Sequence, residues 1–172
     1  VGRLSAQKDP ITLVNAIDIV IKEKTNVKLV FVGDGDMKAE VLRKINELGL
    51  QENIYLVGNK MDPWNVYPSL DLFVMSSIYE GLGRSITEAL CSETPVVCTN
   101  VEGVPELVRE NITGYLVKPK DYFELSRGIL KSLDNIDHSK NMAKEGSKFV
   151  KENFDVNNMV KEIGDLYLDL LK

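Results

Sequence analysis

The sequence predicts an α/β fold, a Rossmann-like doubly wound parallel sheet that ends in a helical C-terminal tail. Short apolar runs alternate with amphipathic stretches along residues 10–117, and this alternation is typical of βαβ units. After residue 120 the sequence keeps helical periodicity and has no further strand-like run. Because there is no repeat and no long linker, a single domain over residues 1–172 is expected.

Each predicted element follows from its own local pattern. Apolar residues repeat at helical spacing after Pro10, which stands where a first helical turn tolerates proline. The run VKLVFV then predicts a buried strand, and Gly49 ends the next helix. The predicted strands cover residues 27–32, 54–57, 70–75, 95–98 and 114–117. The later helices are predicted at residues 37–48 and 84–90, from Pro105, and at residues 121–134, 138–152 and 156–171.

Composition places the chain among globular proteins with one well-filled core. The 172 residues are 44% apolar, and a chain of this length buries roughly 70% of the surface that it exposes when unfolded. Cys91 and Cys98 are the two cysteines, lie in apolar sequence and form no CxxC pair. Neither a disulfide nor a structural metal is therefore expected to be needed for folding, and a reduced, cytoplasmic setting is favoured.

The net charge excludes a general attraction to nucleic acid or anionic lipid. The 21 basic and 26 acidic side chains give −5, so a phosphate site has to concentrate its cations locally. No apolar run approaches the roughly 20 residues of a membrane span, and no signal peptide opens the sequence. The first residues, Val1 and Gly2, resemble the end of a strand, so the first strand is expected to be truncated.

The loop after the third predicted strand is the first candidate site, because ligands of doubly wound sheets bind beyond the carboxyl ends of strands. Gly81 and Gly83 let the backbone approach a ligand there, and the following helix offers free amides and a positive dipole end. This pattern predicts a phosphate site. On its own, a GxG pattern more often marks only a tight strand-to-helix turn.

Charged side chains near strand ends supply the other candidates. Glu80 and Glu88 flank the glycine loop and suit a long ligand whose two hydroxyl-bearing ends lie on either side of a phosphate. Arg3 and Lys8 precede the first helix, and together they would offset the charge of a diphosphate. Each residue also has a simpler interpretation, because charges in loops and near helix starts are commonly just solvated.

Two further patterns are interpreted as structural. Asp34, Gly35 and Asp36 match a metal-binding DxD pattern, yet they directly follow a strand, so a turn is predicted there and no metal site. His138 is the one histidine and is predicted to lie on the surface of the helical tail.

Aromatic and apolar residues outside the loops are predicted to pack. Trp64, Tyr67 and Pro68 are expected to place a short helix against the sheet rather than to stack on a base. The last predicted helix, 156–171, carries an apolar stripe at helical spacing. From the residues alone, such a stripe ordinarily packs on its own domain.

Five stretches occur in an order and spacing that point to a known family. They are VGRLSAQKDP, VFVGDG, EGLGRSITEAL, PVVCTNVEGVPELV and TGYLVKP. The first matches an opening GRL-x-x-x-K segment and the third an E-x7-E motif. With them the chain resembles, nearly end to end, the C-terminal, nucleotide-sugar-binding domain of retaining GT-B glycosyltransferases of family 4, also called group 1. The resemblance implies one half of a GT-B fold. In that fold the terminal helix returns to the N-terminal domain, so part of the apolar stripe of residues 156–171 is expected to be exposed here and to promote self-association.

The resemblance also implies roles for the charged candidates, which would be the residues acting in catalysis and donor binding. Arg3 and Lys8 would bind the donor diphosphate and stabilise the charge that develops on the leaving group. Glu80 would contact the transferred sugar, whereas Glu88 would hold the ribose hydroxyls.

Main-chain groups of two loops would complete the implied donor site. Amides would hold the sugar and the β-phosphate at Gly81, Leu82, Gly83 and Arg84. The base would lie near Gly58, Asn59 and Lys60. The implied enzyme is a hexosyltransferase that uses a UDP-sugar or GDP-sugar with retention and without a metal or other cofactor. Its acceptor would be a glycan or a lipid-linked sugar in surface polysaccharide or glycolipid biosynthesis.

The chain departs from the family pattern at three points. Glu93 stands where the family usually has glycine at a helix end, and Asp9 replaces a common glycine after Lys8. The N-terminal acceptor domain, which supplies the family's catalytic histidine, is absent from residues 1–172. The chain alone is therefore expected to be inactive, to need that domain in cis, and to meet the inner membrane face only through it.

Two alternative functions stay open at this point. One is a non-catalytic nucleotide-binding module that uses the fold alone. The other is a glycoside hydrolase whose carboxyl pair is Glu80 and Glu88.

Overall fold

The computed structural model describes residues 1–171 and has parallel strands flanked by helices, as the sequence predicts. The strands are β1 (Leu29–Phe31), β2 (Ile54–Leu56), β3 (Phe73–Met75), β4 (Val96–Thr99) and β5 (Tyr115–Val117). The helices are α1 (Pro10–Glu23), α2 (Lys38–Leu48), α3 (Arg84–Cys91), α4 (Val104–Leu107), α5 (Tyr122–Asp134), α6 (Ile136–Asn153) and α7 (Val156–Leu170). Single 3₁₀ turns occur at Ala6–Lys8, Pro63–Asn65 and Tyr67–Ser69.

All strand pairs are parallel, and helices cover both faces of the sheets. In β4 the side chain of Val97 joins an apolar cluster with α1, α2 and α5, whereas Val96 and Cys98 join a second cluster with α3 and α4. A strand that is buried on both faces is typical of a parallel sheet. The doubly wound architecture and the helical tail are therefore confirmed.

The strands are shorter than the apolar runs suggest. The run 70–75 gives a strand only from Phe73, because the amide of Leu70 donates to the carbonyl of Tyr67 at 3.0 Å and closes a 3₁₀ turn. At β1 the strand likewise covers Leu29–Phe31 rather than 27–32. Apolarity marks burial, whereas the ladder extends only as far as a partner strand is available.

The described strands form two separate hydrogen-bonded sheets rather than one, β1 with β2 and β3 with β4 and β5. Between β1 and β3 lies a mainly apolar cavity of about 110 Å³, here called the slot, which is lined by residues 28–32 and 72–76 and by Val1. The amides of Leu29 and Phe73 donate hydrogen bonds to the β2 and β4 segments, on the sides of β1 and β3 that face away from the slot. Alternation along a strand then directs the main-chain groups of Val30 and Val74 into the slot.

Two departures from the family pattern place non-glycine residues in the left-handed region. Asp9 has φ of 43° and accepts a hydrogen bond from the Thr12 amide at 3.2 Å, so it caps α1. Glu93 has φ of 56° and lies just past the end of α3, where its amide donates to the carbonyl of Leu90 at 2.9 Å. Asp9 compensates for its conformation with a cap, whereas no hydrogen bond from the Glu93 side chain is seen within residues 1–171.

The cysteines, the aromatic residues of 64–68 and the histidine differ in exposure. Cys91 is exposed, whereas Cys98 is buried and burial raises the pKa of its thiol. Tyr67 is fully buried as predicted, but Trp64 is 54% exposed because its 3₁₀ turn does not pack on the sheet. His138 lies on the surface of α6, as predicted.

The helix α7 presents its whole apolar stripe to solvent. Its large apolar side chains, from Val156 to Leu170, are all at least 44% exposed. Among residues 1–171, no helix is both long enough and apolar enough to cross a bilayer. The exposure of the stripe is confirmed, and the self-association that it would promote stays a prediction.

Replacing Glu93 by glycine is expected to stabilise the fold. Glycine removes a left-handed penalty of about 1–2 kcal/mol and loses part of the gain to backbone entropy, so the net gain is about 0.5–1 kcal/mol. Thermal unfolding would then show Glu93→Gly melting a few degrees higher, about 2–4 °C per kcal/mol. As a control, Glu145→Gly in the exposed face of α6 lowers the melting temperature. A lower melting temperature for Glu93→Gly would contradict the prediction.

Candidate functional site

The candidate site lies at the carboxyl ends of the strands, where the loop of residues 2–9 meets the loop after β3. The hydroxyl of Ser76 donates to the carbonyls of Lys8 and Asp9 at 2.8 and 2.9 Å, and the amide of Ile78 donates to the carbonyl of Gln7 at 2.8 Å. These bonds join two segments that are about 70 residues apart in sequence. They bring Lys8 next to the predicted glycine loop.

Glu80 is the most constrained carboxylate of the site. It is 9% exposed, and its Oε2 accepts hydrogen bonds from the Lys8 ammonium and, at 3.1 Å, from the Ser77 hydroxyl. Its own amide donates to the carboxylate of Glu102 at 2.9 Å. A carboxylate this deeply placed needs a cation to offset its charge, and Lys8 provides it.

The two predicted cations differ in their ion pairing. Lys8 ends the 3₁₀ turn Ala6–Lys8 and is engaged by Glu80. Arg3 is exposed and forms no ion pair with any residue of 1–171. The site therefore holds one cation that is partly neutralised and one that is available to an anion.

The glycine loop places unpaired amides at the start of α3. Gly83 has φ of 67° and is the N-cap of α3, and no side chain of residues 1–171 caps this helix. The first amides of a helix have no intrahelical acceptor, and the helix dipole adds positive potential there. Gly81 and Leu82 are exposed, and α3 begins at Arg84. The four residues whose amides are predicted to hold an anion are thus adjacent in sequence; Gly83 is buried and the other three are exposed.

A second glycine lets the loop after β4 support this arrangement. Gly103 lies so close to the glycine loop that a Cβ on it would be 2.1 Å from the carbonyl oxygen of Gly81. Its amide donates to the carbonyl of Glu80 at 3.3 Å. With Glu102, which is held at φ of 37°, this segment braces the loop that carries Glu80.

Glu88 lies one turn further along α3 and has its own partners. Its Oε2 accepts a hydrogen bond from the hydroxyl of Tyr67 at 2.9 Å, and its Oε1 is 3.8 Å from Nη2 of Arg84. Glu88 is thus held by the 3₁₀ turn Tyr67–Ser69 on one side and lies near a side chain of its own helix on the other.

The residues predicted near a base lie at the edge of this region. The carbonyl of Gly58 accepts a hydrogen bond from the Gly33 amide at 2.9 Å, and Gly2 in turn donates to Val32 at 2.9 Å. Asn59 and Lys60 follow and are exposed. Their loop is therefore at the correct end of the sheet, and no contact joins them to Glu80 or Glu88 within residues 1–171.

The DxD-like segment is a turn, as predicted. The carboxylate of Asp34 accepts from the Gly35 amide and from Lys38, both at 2.8 Å, and these bonds lower its pKa. A Cβ on Gly35 would be 2.1 Å from the carbonyl oxygen of Leu4, so this glycine allows a close backbone approach. Among residues 1–171, no group of three or more His, Cys, Asp or Glu side chains is arranged to hold a metal.

Sequence reasoning missed three residues that shape the site, Ser77, Glu102 and Tyr67. The sequence predicts no role for Ser77 or Glu102 and predicts only packing for Tyr67. Their hydrogen bonds reach Glu80 or Glu88 from segments 3 to 22 residues away. The only sequence signal for them was polarity within or next to an apolar run, which is too common to single them out.

Comparison with protein families gives a match over residues 1–149 to the glycosyl transferases group 1. The chain belongs to this family. The match includes the N-terminal loop, the glycine loop and the strands that carry them. The group 1 assignment made from the motifs is thereby confirmed.

Individual relatives agree with this assignment. An uncharacterized glycosyltransferase of Methanocaldococcus jannaschii is 30% identical over 97% of this chain and 43% of its own length. The UDP-Gal:alpha-D-GlcNAc-diphosphoundecaprenol alpha-1,3-galactosyltransferase of Escherichia coli is 28% identical over 99% of this chain and 45% of its own length. The chain thus spans less than half the length of these two relatives. Both are glycosyltransferases, which favours a transferase over a hydrolase.

Solved structures show the same fold. Anabaena HepE in complex with UDP-glucose matches with a TM-score of 0.90 at 25% identity, over 98% of this chain and 47% of that protein. Staphylococcus aureus TarM, in complex with UDP and other ligands, matches with a TM-score of 0.92 at 24% identity, over 96% and 34%. The GT-B-type Rossmann-like architecture is therefore established for this chain.

Proposed function

We propose that this chain is the donor-binding half of a retaining, family 4 hexosyltransferase that uses a nucleoside diphosphate sugar, UDP-linked or GDP-linked. The observation that carries the proposal is the contact of Lys8 with Glu80 beside the uncapped start of α3, with the exposed Arg3 on the same N-terminal loop as Lys8. Cations and free amides suit a diphosphate, and a carboxylate suits sugar hydroxyls. The UDP and UDP-glucose found in HepE support the same ligand class.

The proposed role of each group follows from its position in the candidate site. Arg3 and Lys8 bind the diphosphate, and the amides of the glycine loop hold the β-phosphate and the sugar. Glu80 accepts hydrogen bonds from the sugar hydroxyls, and Glu88 accepts them from the ribose. The exposed loop at Gly58 lies beside the base.

The proposed reaction breaks the bond between the anomeric carbon and the diphosphate oxygen, which leaves with the electron pair. The acceptor hydroxyl forms the new bond to the same carbon and gives its proton to the leaving phosphate. Arg3, Lys8 and the α3 amides stabilise the charge that develops on the diphosphate, so no metal is invoked. The acceptor half of the enzyme supplies the remaining groups, and the isolated chain is expected not to turn over.

The acceptor class and the setting are proposed from the relatives. Their names include a transferase acting on a diphosphoundecaprenol-linked sugar and a capsular polysaccharide glycosyltransferase. We expect a glycan or lipid-linked acceptor, a cytoplasmic enzyme, and contact with the inner membrane face through the acceptor half. A non-catalytic nucleotide-binding role remains the alternative.

The slot supports the expectation of a further strand. The carbonyl of Val32 accepts the Gly2 amide, so residues 1–2 already continue the line along which a strand between β1 and β3 would pair. We propose that the slot takes an apolar strand parallel to both, which joins the two sheets into one. The outer partners of β1 and β3 leave Val30 and Val74 free to bond with it.

Nucleotide binding is expected to depend on the two cations. Calorimetric titration with UDP, GDP and their sugars would show binding by at least one of them. Arg3→Ala and Lys8→Ala each weaken it by about 10- to 150-fold, the value of a hydrogen bond to a charged group. Lys144→Ala, an exposed position on α6, serves as control and leaves it unchanged. Absence of binding by every nucleotide would overturn the proposed function.

The ion pair between Lys8 and Glu80 predicts an unusual response to Glu80→Gln. Because the amide releases Lys8, UDP or GDP is expected to bind several-fold tighter, on the order of a kcal/mol or less for a partly exposed pair. The affinity for the matching nucleotide sugar is expected to rise less, because the variant lacks the charged carboxylate that accepts hydrogen bonds from the sugar hydroxyls. Glu102→Gln is the control, since Glu102 accepts an amide rather than Lys8. Weaker binding of UDP and GDP to Glu80→Gln would contradict the proposal that Glu80 competes with the nucleotide for Lys8.

The slot is tested with a capped peptide of about six residues rich in valine and isoleucine. Binding is expected to slow amide hydrogen exchange at Val30 and Val74 and to raise the melting temperature. A peptide with proline at its centre, which lacks the amide hydrogen, is the control. Protection that appears instead at Tyr55 or Leu116, on the outer strands, would contradict the proposal.

A further inference from the structure

Tyr67 combines full burial with a polar contact to the candidate site. Its side chain is 0% exposed, and its hydroxyl donates a hydrogen bond to Oε2 of Glu88 at 2.9 Å. Burial, the hydrogen bond to Glu88 and the charge of that carboxylate all raise the pKa of Tyr67. The phenol is therefore protonated at neutral pH and acts as a hydrogen-bond donor.

The ring of Tyr67 is held from two sides. It packs edge-on against Phe73 of β3, with 5.6 Å between the ring centroids. Its carbonyl accepts hydrogen bonds from the Thr94 hydroxyl at 2.8 Å and from the Leu70 amide at 3.0 Å. A ring that is fixed in this way aims its hydroxyl in one direction, so the hydrogen bond to Glu88 costs little additional ordering.

Because of this contact, the two carboxylate oxygens of Glu88 have different surroundings. Oε2 accepts the hydrogen bond from Tyr67, whereas Oε1 lies 3.8 Å from Nη2 of Arg84, whose side chain is 89% exposed. The Glu88 side chain is itself 30% exposed, so it is open on one side only. An acidic side chain on a helix surface usually samples several rotamers, and the Tyr67 bond selects one.

We propose that Tyr67 is a positioning residue that fixes the carboxylate of Glu88 so that its outer oxygen accepts the ribose hydroxyls of the nucleotide. The inference rests on the proposed function, because it requires that Glu88 meets the ribose. It adds that recognition of the diol depends on a residue that does not touch the ligand. Tyr67 belongs to a different segment, the 3₁₀ turn before β3, and acts only through Glu88.

A purely structural role for the hydroxyl makes a different prediction. A buried hydroxyl needs a partner, and Glu88 satisfies this requirement whatever its own function. In that case Tyr67→Phe changes the stability of the fold and affects all nucleotides equally. If Tyr67 positions Glu88, the variant loses affinity selectively for nucleotides that carry ribose hydroxyls. The ratio between a nucleotide and its dideoxy analogue separates the two roles.

The experiment compares a nucleoside diphosphate, UDP or GDP, with its 2′,3′-dideoxy analogue by calorimetric titration. The unaltered chain is expected to prefer the ribose form by about tenfold or more, as for hydrogen bonds to a charged group. Tyr67→Phe, which keeps the ring and its packing, is expected to reduce this preference at least threefold while binding of the dideoxy analogue stays the same. Glu88→Gln reduces it as well, and the double variant shows no further loss.

Tyr115→Phe is the matched control. Tyr115 is also buried, at 3% exposure, and its hydroxyl donates to no carboxylate among residues 1–171. It is expected to leave the preference for ribose unchanged. Circular dichroism and thermal unfolding of both variants establish that each is folded before the affinities are compared.

The outcomes distinguish the inference from the function on which it rests. If Glu88→Gln removes the preference and Tyr67→Phe leaves it intact, Tyr67 has only a structural role and the inference is overturned. An equal loss for both nucleotides in Tyr67→Phe overturns it as well. If the unaltered chain binds no nucleotide, or binds both forms equally, then the assignment of Glu88 to the ribose fails and the inference fails with it.

Discussion

The site depends on the ion pair between Lys8 and Glu80. Lys8 stands before α1 and Glu80 after β3, and the pair connects these two loops across 72 residues of sequence. Glu80 is nearly buried, so its charge is tolerable only with a cation beside it. Because both loops end at this contact, the position of the glycine loop and the start of α1 are coupled. A ligand that engages Lys8 therefore also acts on Glu80.

Close backbone approaches make that coupling possible. A Cβ on Gly33 would lie 2.0 Å from the carbonyl of Gly2, and one on Gly103 would lie 2.1 Å from that of Gly81. Glycine thus allows the loops beyond β1, β3 and β4 to stack at one edge of the sheets. Side chains then fill the remaining hydrogen-bonding positions, as Glu102 does for the amide of Glu80. The close backbone approaches and the charged side chains therefore hold the same loops in place.

The proposed anion site lies in an acidic protein. With a net charge of −5, the general field does not favour a diphosphate. Attraction has to come from short range, from Arg3, from Lys8 once it is released, and from the amides at the start of α3. The carboxylates of Glu80 and Glu88 then limit the positive potential to a narrow region. This arrangement suits a ligand with a charged centre and hydroxylated ends.

Sequence alone determined the order of the elements, the parallel architecture, the edge of the sheet where the candidate site lies and the family, because hydrophobic periodicity and motif spacing are local properties of the chain. Tertiary structure decided the rest. The division into two sheets, the exposure of Trp64 and the partners of Glu80 and Glu88 depend on contacts between distant segments. Tyr67 shows the difference clearly, since its apolar surroundings correctly predict burial. Only the packed chain reveals that its hydroxyl meets a carboxylate 21 residues away.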